Sequence, residues 1–330
     1  MKKLLCSLAA GSLAVLALAS CTKPAPAEGD NANAVTANLT MGTGGESGTY
    51  YAFGGVIANV IGDKTDIDVS YVSTGGTAAN LTGIASGMYD LATVQSDVST
   101  YAFEGTNSFA ESGKVDSFRV LGALYAETVQ IVTCNPDIKS VADLAGKSVC
   151  VGDVGSGTYF NTIDVLAAYD LTIDDITPVY QSFGDSTESL KDGKIDAAFI
   201  CAGAPTTAVV DLSTSKPVYL VSIDDEHMAK LLDACPWYAS LTIPAGTYNG
   251  FDEDAVTITV KCTLVCRADL DDDVAYELVS TIFENKEEIA GIHAKGAELD
   301  LNFATEGIAV PFAKGAAKYY AEKGITVAVD

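Results

Sequence analysis

The sequence contains two copies of one pattern, and this internal repeat constrains the fold more than any other feature. Ser47-Gly48-Thr49-Tyr50 follows a predicted strand, and Ser156-Gly157-Thr158-Tyr159 follows another one 109 residues later. After each motif the hydrophobic pattern predicts a helix, a strand, a shorter helix and a further strand. The copies also end alike, at Gly87 to Ala92 and at Gly193 to Ala198, 106 residues apart. Two β-α-β-α-β units, each of the doubly wound α/β class, are therefore predicted.

Two long strands outside the repeats indicate how the units are joined. Alternating apolar residues predict one strand over 118–134, between the copies, and another over 255–267, after the second copy. Two long connections suit a two-lobed protein with a hinge. We predict a first lobe made of 39–126 and 264–330 and a second lobe made of 127–263, two doubly wound α/β domains joined by a hinge.

The N-terminus has the pattern of an export signal. A positive start is followed by an apolar run from Leu4 to Leu18 and then by Leu18-Ala19-Ser20-Cys21, which resembles a bacterial lipobox. This resemblance implies that a signal peptide, residues 1–20, is removed and that Cys21 receives a diacylglycerol anchor. The alternative, an uncleaved membrane anchor, is disfavoured because the apolar run is shorter than the ~20 residues that span a bilayer.

The segment after Cys21 is rich in Pro, Ala and Asn and has no periodicity. Such a composition is typical of a flexible tether, which we predict for residues 21–38. No other stretch of the sequence predicts a membrane span.

Composition narrows the possible partners. The net charge is −25, with 48% hydrophobic residues, so the chain is apolar enough to fold and too negative for general binding to nucleic acid. We expect no nucleic-acid partner. The six cysteines after Cys21 lie mostly in apolar strand patterns, which favours buried, unpaired thiols. Cys262 and Cys266 are ~13 Å apart in an extended strand, beyond disulfide reach.

Motifs for catalysis, cofactors and metals are absent from the sequence. The glycine-rich stretch Gly42 to Gly48 lacks both the P-loop lysine and the spacing of a dinucleotide motif. His227 lies in a charged stretch and His293 in a predicted loop, and neither stands near a nucleophile motif. No zinc-ligand spacing occurs. We therefore expect a protein that is not an enzyme and that uses no cofactor or metal.

Small and hydroxyl residues, by contrast, open a predicted helix in each lobe. Free amides at a helix N-terminus bind carboxylates and other small anions. Further turns at the carboxyl ends of strands lie where open α/β sheets bind ligands, namely 73–77, 95–97 and 202–206, the last including Gly203 and Pro205. Ordinary helix capping is the alternative explanation for each single turn.

Several stretches together resemble a known family. GTGGESGTYYAFGG, VSTGGTAANLTGIASGMYDLATVQSDV, ADLAGKSVCVGDVGSGT, YELVSTIFENKEEI and PFAKGAAKYYAEKG are similar to the TAXI-type solute-binding proteins of tripartite ATP-independent periplasmic (TRAP) transporters. The similarity runs from about Leu39 to Gly324, and it implies a two-lobed, type II periplasmic-binding-protein-like α/β fold. It places ligand-binding residues in the turns of both lobes and near the hinge: Gly44, Gly45, Ser47, Gly48, Tyr51, Thr74, Gly75, Gly76, Thr77, Gln95, Asp97, Tyr125, Gln130, Gly155, Ser156, Gly157 and Thr158.

The resemblance implies a function as well as a site. A TAXI-type protein closes on a small organic acid or amino acid such as glutamate and delivers it to an integral membrane TRAP permease driven by a sodium gradient. Many members are free in the periplasm, whereas this chain carries a lipobox. The expected function is thus that of an extracytoplasmic, lipid-anchored receptor for solute uptake. A sensory ligand-binding lipoprotein and a two-lobed enzyme are the alternatives that the residues leave open.

Overall fold

A computed structural model describes residues 35–329, so the signal peptide, Cys21 and most of the predicted tether lie outside the described residues. Ten strands in this range form one mixed sheet. The strands are β1 (Thr36–Gly42), β2 (Asp66–Val72), β3 (Leu91–Gln95), β4 (Phe118–Thr133), β5 (Ser148–Cys150), β6 (Thr177–Val179), β7 (Ala197–Ala202), β8 (Tyr219–Leu220), β9 (Ala239–Ile243) and β10 (Ala255–Arg267). The helices are α1 (Thr49–Lys64), α2 (Thr77–Ala85), α3 (Ser96–Glu104), α4 (Thr158–Ala168), α5 (Phe183–Lys191), α6 (Thr207–Ser213), α7 (Asp225–Ala234), α8 (Asp272–Glu284), α9 (Lys286–Ile292), α10 (Leu301–Thr305) and α11 (Lys314–Glu322).

The two sequence repeats fold alike, which confirms the predicted β-α-β-α-β units. In the first unit β1 pairs in parallel with β2 and β3, and in the second β5 pairs in parallel with β6 and β7. The strand order is therefore β2-β1-β3 in one unit and β6-β5-β7 in the other, with β10 and β4 between them. Each unit thus presents the carboxyl ends of its strands and the following helix N-termini at one edge.

The long strands β4 and β10 join the units by antiparallel pairing with each other. Residues 262–266 of β10 pair with β3 of the first unit, whereas residues 255–259 pair with β9. The last six residues of β4, 128–133, pair with β7 of the second unit. The register between β4 and β10 shifts at two places, between Cys262 and Thr263 and between Leu264 and Val265. The pair of β10 and β4 therefore connects β3 of the first unit to β7 of the second.

Three hydrophobic clusters form the core. One cluster draws its residues from 39–125 and 262–320, and the other two draw theirs from 129–260. No residue belongs to more than one of these clusters. This grouping supports the predicted division of the chain, and we propose that it marks the two lobes, referred to below as the first lobe and the second lobe.

The tether prediction needs a correction at its C-terminal end. Strand β1 begins at Thr36, and residues 36–38, assigned to the tether from their composition, pair in parallel with residues 66–68 of β2. The polar side chains of this stretch disguise a strand because the ladder with β2 depends on backbone groups. The folded domain thus starts before the predicted boundary at residue 39.

Helix capping, the cysteines and helix length are further features of the described residues. The aspartate run before α8 caps that helix, with Asp271 accepting from the N–H groups of Asp273 and Val274. All six described cysteines are unpaired, and every one except Cys134 is buried. Between residues 35 and 329 no helix is long and apolar enough to cross a membrane.

Candidate functional site

A cavity of about 60 Å³ lies between the lobes, at the edge where the strands end and α1, α2 and α4 begin. This is several times the ~10–15 Å³ that one water requires. Its walls come from both lobes: Gly44, Gly45, Gly48, Thr49, Tyr50, Thr74, Gly75, Gly76, Thr77, Gln95, Glu127, Asp153, Ser156, Gly157, Thr158, Ser182, Phe183, Cys201 and Ala202.

Two helix N-termini from opposite lobes reach this cavity. Gly48 is the N-cap of α1 and Gly157 is the N-cap of α4, and neither helix has a side-chain cap because glycine has no side chain to supply one. The amide groups of a first helical turn have no partner within the helix and carry the positive end of its dipole. Glycine also lets a ligand approach the backbone closely. The two termini together provide donors for a small anion.

Unpartnered polar atoms lie beside these termini. Ser156 is 8% exposed and lines the cavity, and its Oγ has no hydrogen-bond partner within residues 35–329. The same holds for Oε1 of Gln95, whose side chain is also buried. A buried polar atom without a partner costs stability. Both atoms therefore have unused hydrogen-bonding capacity beside the cavity.

The N-terminus of α2 has a different role. Its Ala78 and Ala79 amides both donate to the carbonyl oxygen of Gly155, at 2.9 Å and 3.3 Å. Since Gly155 belongs to the second lobe and α2 to the first, this helix end holds the opposite lobe rather than facing an open cavity.

Glu127 is the buried carboxyl group of the cavity. It lies in β4, at the boundary between the two lobes, and is 1% exposed. The Tyr50 hydroxyl donates to its Oε1 at 2.5 Å, and the Cys201 thiol lies 3.9 Å from its Oε2. Burial raises the pKa of Glu127 well above its usual range, partly offset by the Tyr50 hydrogen bond.

Charge around the cavity is mostly negative or neutral. Among residues 35–329, no Lys, Arg or His lines it, whereas Glu127 and Asp153 do. Lys295, which is 9% exposed, forms a salt bridge of 2.5 Å with Glu298. Its charge lowers the pKa of Glu127, as the least of several influences. An anionic ligand would therefore depend on amides and hydroxyls.

A polar network between the lobes lies next to the cavity. Nε2 of Gln95 donates to Asn161 Oδ1 at 2.9 Å, and Asn161 Nδ2 donates to Asp97 Oδ2 at 3.2 Å and to the Tyr238 hydroxyl at 2.9 Å. That hydroxyl donates to Asp164 at 2.7 Å. Burial raises the pKa of Asp97 to about 7, and the nearby Asp164 charge adds to the effect.

An aromatic contact also crosses between the lobes. The ring of Tyr101 in α3 meets the ring of Trp237 edge to face, with centroids 5.3 Å apart. Trp237 is 38% exposed and is the only tryptophan of the sequence. Its environment therefore depends on how closely the lobes approach.

The structure brings more than half of the sequence-predicted ligand residues into the cavity wall. They are Gly44, Gly45, Gly48, Thr74, Gly75, Gly76, Thr77, Gln95, Ser156, Gly157 and Thr158.

Three of the remaining predicted residues contact other parts of the protein. Tyr51 packs edge to face on Tyr71 and is not part of the cavity wall. Tyr125 is fully buried against Phe53. Gln130 is fixed in the second lobe, where it donates to Thr206 at 2.8 Å and accepts from Tyr248.

Four of the other predicted residues lie at the contact between the lobes, and the fifth, Pro205, is exposed. The carbonyl of Ser47 accepts from the Ala208 amide at 3.3 Å, and the carbonyl of Gly203 accepts from Thr49 Oγ1 at 3.2 Å. Asp97 belongs to the polar network described above, and Gly155 bonds α2. Pro205 is exposed in the turn between β7 and α6.

Sequence reasoning missed five cavity residues: Glu127, Asp153, Ser182, Phe183 and Cys201. Glu127 left a signal, since it is the one charged residue in the apolar run from Val120 to Thr133. A carboxylate inside a buried strand is rare without a role. Ser182 and Phe183 left none, because they reach the cavity only through the packing of α5.

Arg267 and the two histidines lie outside the cavity wall. Arg267 bonds Asp90 and Asp269, at 3.0 Å and 2.9 Å, on the first lobe. His227 stacks on Tyr169, and His293 packs against Phe53. Among the described residues no cluster of His, Cys, Asp or Glu is arranged to hold a metal ion.

Two units of parallel strands flank a pair of long antiparallel strands, and a cavity lies between the units. This arrangement is the mixed α/β type II periplasmic binding-protein fold. A protein from Bordetella bronchiseptica RB50 has this fold, with a TM-score of 0.54, 17% identity and coverage of 86% of this chain and 88% of that chain. The alkanesulfonate-binding protein SsuA from Xanthomonas axonopodis pv. citri, solved with MOPS, has a TM-score of 0.50 at 17% identity, over 88% of this chain and 94% of its own. At such identities the similarity concerns the fold alone. Residues 41–324 match the NMT1-like family, and the chain belongs to that family.

Proposed function

We propose that this chain is an extracytoplasmic solute-binding lipoprotein that captures a small carboxylate or amino acid, such as glutamate, between its lobes. It then delivers the ligand to a sodium-driven TRAP permease. The observation that carries the proposal is the cavity where α1 and α4 begin from opposite lobes without side-chain caps, beside the unpartnered Ser156 hydroxyl.

The donors at this cavity suit a carboxylate. Backbone amides and hydroxyls are neutral, so they bind an anion without a buried cation to desolvate. The overall charge of −25 does not prevent this, because solvent and salt screen distant surface charges within about 10 Å. Local donors therefore decide the sign of the ligand.

Closure of the lobes supports capture of a ligand. Hydrogen bonds from Gln95 to Asn161 and from the Ala78 amide to Gly155 join the two lobes directly beside the cavity. A small molecule held by both α1 and α4 stabilises this closed arrangement, because it adds contacts that an open form lacks.

The transporter type rests on sequence resemblance. The glycine-rich segments that resemble TAXI-type proteins include most residues of the cavity wall. The lipobox at Cys21 supports an anchor at the membrane where a permease lies. The similar protein SsuA binds alkanesulfonates, which are also small organic anions, and it too is a binding protein rather than an enzyme.

Binding without catalysis fits the side chains of the cavity. Glu127 and Cys201 are buried together, and burial raises the pKa of the Cys201 thiol well above its usual range, which disfavours a nucleophilic thiolate. No histidine among the described residues lines the cavity as a general base.

Native mass spectrometry of the purified protein tests the ligand class. We expect a bound mass corresponding to a small carboxylate, released on denaturation and recovered unchanged after incubation with the protein. A bound nucleotide or sugar would overturn the proposal, and chemical conversion of the ligand would favour the enzyme alternative.

Uptake measurements test the partner. In cells that make this protein, we expect uptake of the radiolabelled ligand to stop when monensin collapses the sodium gradient and to persist when only ATP is depleted. Uptake that depends on ATP would assign a different transporter. Uptake that is unchanged after deletion of this gene would favour a sensory role.

A further inference from the structure

Glu127 is a buried carboxyl group that has no ion-pair partner among the described residues. It is 1% exposed, and no salt bridge to it exists among residues 35–329. The nearby Lys295 is committed to Glu298 at 2.5 Å. Buried carboxylates are ordinarily paired with a cation, because an isolated buried charge is costly.

The hydrogen bonds of Glu127 leave room for another donor. Tyr50 donates to Oε1 at 2.5 Å and Cys201 approaches Oε2 at 3.9 Å. A carboxylate has about four acceptor positions, so these two contacts do not saturate it. Since Glu127 lines the cavity, a ligand can use the remaining positions.

The cavity therefore combines two opposite types of group. Donors for an anion lie where α1 and α4 begin, around Gly48 and Gly157, and an acceptor for a cation lies at Glu127. Tyr50 connects the two, since it belongs to the first turn of α1 and its hydroxyl bonds Glu127. A molecule that carries both a carboxylate and an ammonium group matches both.

We propose that Glu127 accepts the ammonium group of an amino-acid ligand and thereby selects amino acids over organic acids that lack this group. The inference rests on the proposed function, in which the cavity holds a small carboxylate, and it narrows the ligand to a zwitterion. A protonated Glu127 that donates to an uncharged or anionic ligand is the competing arrangement, and the experiment below separates the two.

Calorimetry with matched ligand pairs provides the test. The protein is first unfolded in guanidinium, dialysed and refolded to remove bound ligand. It is then titrated with glutamate and glutarate, aspartate and succinate, leucine and 4-methylpentanoate, each pair differing in the ammonium group. For the pair that contains the best ligand, we expect the amino acid to bind at least about tenfold more tightly.

Two matched variants localise the effect. Glu127→Gln keeps the shape of the side chain. We expect this variant to bind the amino acid at least about tenfold more weakly, while its affinity for the deaminated acid changes by less than about threefold. The control, Glu287→Gln, makes the same chemical change at an exposed position of α9, outside the cavity wall, and should alter the affinity for either ligand by less than about threefold. Melting curves verify that each variant is folded.

The possible results separate this inference from the proposed function. The proposed role of Glu127 is wrong if the deaminated acid binds as tightly as the amino acid, or if Glu127→Gln lowers the affinity for both ligands equally. Capture of a carboxylate would still stand in either case. If no member of any pair binds to the refolded wild-type protein, the proposed function itself fails. The preference of the wild-type protein decides the inference even if Glu127→Gln does not fold.

Discussion

The side chain of Gln95 donates a hydrogen bond to Asn161 across the two lobes, with Nε2 and Oδ1 2.9 Å apart. The same nitrogen lies 2.8 Å from the Cys201 sulfur, so Gln95 is fixed against the second lobe while it belongs to the first. Its Oε1 faces Gly157 so closely that a Cβ added to that glycine would lie only 1.4 Å away. Closure of the lobes thus depends on the absence of a side chain at residue 157.

Gly157→Ala should hinder closure without disturbing either lobe alone. Gly157 has φ −70°, a backbone conformation that alanine adopts readily, so the second lobe has no local reason to unfold. The clash with Gln95 arises only when the lobes meet. We expect ligand affinity to fall by at least about tenfold and the fluorescence change of Trp237 on ligand addition to diminish, because its contact with Tyr101 forms on closure.

Gly291→Ala is the matched control. Gly291 lies in α9, has no neighbour within 4 Å of an added Cβ and is remote from the cavity. This variant should bind and fluoresce like the wild-type protein. A Gly157→Ala protein that binds ligand with unchanged affinity would contradict the closed arrangement as the binding form.

The network around Asp97 predicts a dependence on pH. Burial raises the pKa of this carboxyl from 3.8 to about 7, with Asp164 as a further cause and Glu127, Tyr101 and Tyr238 also close enough to feel its charge. The folded protein therefore binds the proton more tightly than the unfolded chain does. The contribution of Asp97 to the stability of the folded protein is fully present below about pH 4 and is lost as the pH rises to about 7.

Asp97→Asn should reduce this loss of stability. Between pH 5 and 8 the wild-type free energy of unfolding should fall by about 2 kcal/mol more than that of Asp97→Asn, measured by urea unfolding. Asp68→Asn, at an exposed position of β2, should retain the wild-type slope. Parallel pH profiles for the wild-type and Asp97→Asn proteins would argue that Asp97 is not buried in this way.

The lipid anchor is testable at Cys21, which lies outside the described residues. We expect Cys21→Ser to move the protein from the detergent phase to the aqueous phase in Triton X-114 partitioning, because the variant lacks the thiol that accepts the lipid. Cys134→Ser serves as the control and should remain in the detergent phase. Unchanged partitioning of Cys21→Ser would eliminate the lipoprotein assignment.

Much of the fold can be predicted from the sequence because the patterns that specify it are local. The repeated Ser-Gly-Thr-Tyr motif marks the first turn of each unit, and the alternating pattern of 255–267 matches β10 residue for residue. The glycines at 48 and 157 mark helix N-termini that cap poorly but leave the backbone open. Such features follow from backbone geometry within a few residues.

Contacts between distant segments are the part that the sequence hides. Tyr50 meets Glu127 and Gln95 meets Asn161 only because β4 and β10 bring the lobes together, over separations of 77 and 66 residues. Composition likewise misassigned residues 36–38 to the tether, since pairing with β2 uses backbone groups alone. Side-chain chemistry alone does not predict such partners.

Calorimetry on a Ser156→Ala, Thr158→Ala double variant tests the central claim, capture of a carboxylate at the start of α4. Hydrogen bonds to a charged group contribute about 1.5–3 kcal/mol each, so the double variant should bind the ligand at least about tenfold more weakly. Its melting temperature should change little, because Ser156 Oγ has no partner to lose. The control is a Thr214→Ala, Ser215→Ala double variant, which removes two hydroxyls that follow α6 and donate to carbonyls of its last turn, outside the cavity wall. It should bind like the wild-type protein. Weakened binding by the first variant alone is the predicted result, whereas native affinity in a normally folded Ser156→Ala, Thr158→Ala protein would contradict the account.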